Sequence, residues 1–186
     1  MAPPALLLTC CLVFVGVAAA WDLRTGHIPN GLTLGGLGVG FALHVVVHLV
    51  DLRSSGLASA ALAGVVNASL GVFLCGLAPY LLFRASAMGG GDVKLLAGVG
   101  AFVGPTIGLE LELSAFIAMA LFAPIRLAYE GKLLTVLGNT LMLVVNPFLP
   151  KGKRREVPRE LMTALEFGPA VFVANVLVMV AHWMDR

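Results

Sequence analysis

Long apolar runs separated by short polar breaks make up most of this chain. Six runs read as membrane spans: residues 2–21, 31–50, 57–83, 95–109, 113–129 and 167–183. About 20 apolar residues suffice for a helix to cross the hydrocarbon core. The first run sits where a secretory signal would, but it has no basic start and is read as a retained span. Trp21 closes it at the interface. A polar loop over 22–30 follows, in which Pro29 stops helix propagation and holds the residues before it extended. The third run is longer than a crossing needs and implies tilt. The fourth is short, roughly 22 Å as a helix, so one of its ends should lie inside the bilayer, shielded by neighbours. Glu110 and Glu112 mark the turn into the fifth run, where Pro124 can kink the helix and Arg126 can snorkel. Over 133–149, Leu133, Leu137, Leu141, Val144, Val145 and Phe148 recur at helical spacing opposite Thr135, Asn139 and Asn146. That pattern predicts a helix lying in the interface. The expected fold is all-α and polytopic, with about six transmembrane helices, one interfacial helix and a single membrane-embedded domain over 1–186.

Composition agrees: 59% of the 186 residues are hydrophobic and only 12% charged, against about 25% charged in soluble domains. Charge placement orients the spans. With the N-terminus outside, ten of the twelve Lys and Arg residues fall on the inner side, five of them between Lys151 and Arg159. Only Arg53 and Arg186 lie outside, the asymmetry the positive-inside rule expects. A seventh span over 133–149 would put the Lys151–Arg159 cluster outside, so that reading is disfavoured.

Two acidic residues then acquire a common address. Asp22 follows the first span and Asp92 the third, so both fall at the cytoplasmic ends of helices and can meet. Paired carboxylates can share a proton, one acting as base on water and the other as acid. Asp92 closes a glycine run, Gly89-Gly90-Gly91-Asp92-Val93-Lys94, where the lack of Cβ atoms lets a substrate backbone approach. The structural alternative is a flexible turn with Asp92 as a helix N-cap. His44 and His48, four apart on one face with Asp51 nearby, lack a compelling third metal ligand and read as interfacial histidines. Asn67 and Ser69 read as groups bonding a neighbouring helix. Cys10, Cys11 and Cys75 form no C-x-x-C and read as small core or lipid-facing residues.

Asp22-Leu23-Arg24 with Ile28-Pro29-Asn30, followed by Gly89-x-Gly91-Asp92-x-Lys94, resembles the type IV prepilin peptidase family, polytopic aspartyl proteases of the G-x-G-D type. Phe167-Gly168-Pro169-Ala170 is similar to that family's lead-in to its last span. The resemblance implies that Asp22 and Asp92 are the catalytic pair. It implies that Gly89, Gly90, Gly91, Lys94, Ile28, Pro29 and Asn30 shape the loop or bind substrate. Larger members carry a cytoplasmic domain with two C-x-x-C pairs and an N-methyltransferase activity. This sequence starts at a span and resembles the short peptidases of tight-adherence (Flp) pilus systems, with archaeal preflagellin peptidases as the other assignment.

The implied activity is removal of the basic leader from prepilins or pseudopilins at the cytoplasmic face of the bacterial inner membrane. The expected partners are that substrate and the lipid bilayer; no nucleic acid, metal or organic cofactor is expected. The rival readings are a small proton-coupled transporter with Asp22 and Asp92 as its relay, and a non-catalytic scaffold of a secretion machine.

Overall fold

The computed structural model describes residues 5–51, 56–85, 88–138 and 167–184. The charged loop over 151–160, the interfacial segment beyond residue 138, and Arg53 and Arg186 lie outside the described residues. Every regular element described is helical: α1 (Ala5–Thr25), α2 (Asn30–Asp51), α3 (Leu57–Arg84), α4 (Gly90–Tyr129) and α5 (Gly168–Met184). Four of these are long and apolar enough to cross a membrane, and α5 is a shorter apolar helix of 17 residues. The chain is an all-α polytopic membrane protein. Large apolar side chains such as Val13, Leu62, Phe73 and Ile117 lie on its outside, where lipid replaces water as the surroundings.

Contacts gather into two units, residues 1–118 with 166–186, and residues 119–165. In the first, α1 packs along α5 and against α2, and α2 packs along α3. The buried positions of α1 are Leu7, Leu8, Cys11, Phe14, Val15, Ala18, Ala19 and Asp22, a stripe repeating every three or four residues. In the second unit Arg126 and Lys132 hold the Glu130 carboxylate at 3.1 and 3.0 Å. Lys132 first, then Arg126, keeps that carboxyl below its ordinary range. Residues 133–138 are helical, as the apolar spacing there predicts.

α4 is not one straight rod. Gly104 breaks it with φ 76° and ψ −179°, backbone that favours glycine, and Pro105 follows without an N–H. A Cβ on Gly108 would lie 3.3 Å from the Cα of Gly100. Residues eight apart in a straight helix are about 12 Å apart, so the chain doubles back here. The turn predicted at Glu110 and Glu112 therefore falls earlier. The reason is backbone geometry: a Gly-Pro pair reverses a buried helix with no polar loop. The first arm, residues 90–103, rises roughly 21 Å, less than the hydrocarbon thickness of about 30 Å. By length alone this arm is too short to cross that core.

A break inside a membrane exposes carbonyls that lipid cannot satisfy. His44 answers this one. Its Nδ1 donates to the Phe102 carbonyl at 2.8 Å, and its Nε2 accepts from the Asn67 side-chain amide at 2.8 Å. The carbonyl can only accept, so the proton is on Nδ1. His44 is 1% exposed, a correction to its reading as an interfacial residue. Asn67 does bond a neighbouring helix. The second close approach is Gly71 against Gly100, where a Cβ on either would strike the other's carbonyl oxygen.

Candidate active site

The buried stripe of α1 ends on Asp22, which is only 4% exposed. The helix runs on through Thr25, so Asp22 belongs to its last turns rather than to a loop. Gly26 closes it with φ 66° and an N–H bonded to the Asp22 carbonyl at 2.8 Å, the left-handed cap that favours glycine. The polar stretch 22–30 is thus half helix, because its residues form one more turn before the cap ends it.

The Asp22 carboxylate meets the start of α5. The Gly168 backbone N–H donates to its Oδ2 at 3.0 Å. Pro169 comes next, tolerated in a first helical turn because its missing N–H would have no intrahelical partner. The position needs glycine for space: a Cβ on Gly168 would lie 2.9 Å from Asp22 Oδ2 and 3.2 Å from the Ala19 Cα.

Asp92 sits at the start of another helix. α4 begins at Gly90, five residues before the predicted span, so Asp92 is its third residue and not its N-cap. From there its carboxylate turns back toward Gly89, with Oδ2 3.0 Å from where a Gly89 Cβ would stand. That is the sense in which the third-position acid of a capping box turns, and an N-cap residue does not. Asp92 lies within electrostatic reach of Asp22 and is less buried.

The Ile28–Asn30 loop locks onto this helix start. Lys94 Nζ donates to Asn30 Oδ1 at 2.7 Å. Ile28 is buried, and its Cβ is 3.4 Å from where a Gly91 Cβ would stand. Gly90 faces the Phe83 ring in the same sense. Every residue singled out in the two sequence motifs therefore sits at one end of the bundle, and Pro29 supplies the carbonyl that the first turn of α2 bonds. Gly168 was absent from the site residues named by sequence reasoning. Its signal was the Gly-Pro pair opening the last apolar run.

The arrangement is two carboxylates, each on the N-terminus of a different helix. Helix N-termini carry partial positive charge and free N–H groups, which favour an anion there. Two such ends offset part of the repulsion between neighbouring acids. Among the described residues no three His, Cys, Asp or Glu side chains group as a metal site. Two neighbouring carboxylates at one end of a bundle of membrane-length helices define a class, polytopic membrane proteins with a paired-acid site. The type IV leader peptidase family matches residues 7–124, and the chain belongs to it. That makes the protein a peptidase. No curated protein and no solved structure matches.

Proposed function

We propose that this protein is an aspartic endopeptidase that removes the leader of prepilins or pseudopilins, with Asp22 and Asp92 as its catalytic pair. One observation carries the reading: the two carboxylates are within each other's field, Asp22 accepting the first N–H of α5 and Asp92 turned back toward Gly89 at the start of α4. The ionised partner takes a proton from water as its oxygen attacks the scissile carbonyl carbon. The protonated partner gives its proton to the carbonyl oxygen, forming a neutral tetrahedral diol. Collapse then breaks the C–N bond, with a proton passing to the leaving nitrogen, and the pair again holds one proton.

The glycine stretch and the Ile28–Asn30 loop line the approach. Gly89 is exposed, so an extended leader can bond backbone to backbone beside Asp92. The basic asymmetry supports a cytoplasmic site, where a basic leader is found. The test is cleavage of a prepilin by purified wild type, Asp22→Asn and Asp92→Asn in detergent, with folding followed by size exclusion. Both variants should lose nearly all cleavage while still binding substrate. Near-wild-type cleavage by folded Asp92→Asn removes the aspartic mechanism and reopens the transporter reading.

A further inference from the structure

The N–H that bonds Asp22 is one end of a peptide plane whose other end is also occupied. The plane joins Phe167 to Gly168. Its N–H donates to Asp22 Oδ2 at 3.0 Å. Its carbonyl accepts two N–H groups from the first turn of α5, Ala170 at 3.0 Å and Val171 at 3.2 Å. A trans peptide is flat and points these two groups in opposite directions, so any rotation of the plane disturbs both sets of bonds. A carbonyl that already accepts also polarises its own N–H and strengthens the bond that N–H makes.

Whatever holds Phe167 therefore aims the N–H. Two contacts of α5 with α1 lie further along the helix. Asn175 donates to Cys11 Sγ at 3.2 Å, and the Phe172 ring lies 3.2 Å from where a Gly16 Cβ would stand. They seat the helix on α1, but Phe167 precedes the helix. Its side chain is held from another direction. Phe167 is 5% exposed, and its ring meets Phe116 of the second arm of α4 at a centroid distance of 5.5 Å and an interplanar angle of 47°. Tilted aromatic pairs at this separation are favourable beyond the area they bury. The arm is itself anchored, since Leu111 and Ala115 are fully buried. In the sequence Phe116 is one apolar residue among many in a span.

We propose that Phe116 is a positioning residue for the acid pair, holding the Phe167–Gly168 peptide so that its N–H meets Asp22. The proposal rests on the peptidase reading, and it adds the second arm of α4 to the elements that build the site.

The test is the pH dependence of prepilin cleavage by the purified full chain in detergent. An N–H donated to a carboxylate favours the ionised form, and Asp92 is the acidic neighbour within its field. Without that bond Asp22 keeps its proton to higher pH. Phe116→Leu and Phe116→Met remove the ring and keep most of the bulk. Each should move the acid limb of the pH–rate profile up by about one pH unit, roughly tenfold less cleavage at the acid end, with KM little changed. Phe116→Tyr keeps the ring and should keep the wild-type limb. So should Phe73→Leu, which alters a lipid-facing ring of α3. A wild-type acid limb in either folded ringless variant overturns the proposal. So does a loss by the same factor at every pH, or failure of both variants to fold, because Phe116 would then serve the fold alone. A wild-type protein that cleaves no prepilin is a separate result, which removes the peptidase reading and this proposal with it.

Discussion

Adding one methyl group to Gly168 should disable the site without dismantling the fold. The new Cβ would stand 2.9 Å from Asp22 Oδ2, where ordinary contact begins at 3.4 Å. It would also press the Ala19 Cα at 3.2 Å, which is backbone and cannot swing aside. The carboxylate must therefore give way by about 0.5 Å, the difference between those contacts. That stretches the 3.0 Å bond from the Gly168 N–H to about 3.5 Å, past the usual hydrogen-bond range. A hydrogen bond to a charged group contributes about 1.5–3 kcal/mol. If it acts on the ionised partner in the transition state, kcat/KM should fall about 10- to 150-fold. Overpacking of this size costs about 1–3 kcal/mol in stability. The assay is steady-state cleavage of a prepilin peptide by Gly168→Ala, beside Gly38→Ala, where nothing lies within 4 Å of the added Cβ. Wild-type kcat/KM in a folded Gly168→Ala protein would show that the start of α5 does not position Asp22.

The remaining predictions concern neighbouring parts of the structure. The acid pair should give a bell-shaped pH–rate profile, activity falling in acid as both carboxyls protonate and in base as both ionise; a single sigmoid would dismiss proton sharing. Lys94→Met should raise KM more than it lowers kcat, because it frees Asn30 and the Ile28–Asn30 loop while leaving both carboxylates in place. His44→Leu strands the Phe102 carbonyl and the Asn67 amide, and should cost about 2–5 kcal/mol by denaturant unfolding. A cysteine placed at position 153 should resist an impermeant thiol reagent in intact cells, and ready labelling there would invert the orientation.

Most of the helices are legible in the chain because apolar length decides them. The predicted and observed limits of α2, α3 and α5 differ by a residue or so. The glycine run and both aspartates are equally legible, since an acid beside a span is costly and needs a reason. The helix starts and stops around the site were harder to read. Asp22 and Asp92 look like loop residues, yet both are in helices, because Gly26 and Gly89 place the caps outside them. The misplaced turn has a related cause. Two glutamates look like a surface break, whereas a Gly-Pro pair amid apolar residues looks like continuing helix. Only the partners of His44 show why the chain can reverse at Gly104. Those partners come from α3 and from α4 itself, and no local pattern names them.

The bond between Gly168 and Asp22 also sets an order in time. These residues stand 146 positions apart, and a ribosome makes the first long before the second. While α1 to α4 enter the membrane, Asp22 lacks the α5 N–H that bonds it, and the pair proposed to cut is incomplete. On the proposed mechanism, competence arrives only when the helix beginning at Gly168 is delivered and docks along α1. A protease that matures within reach of its own apolar spans would then be silent through its own synthesis, and a chain released early would be inert.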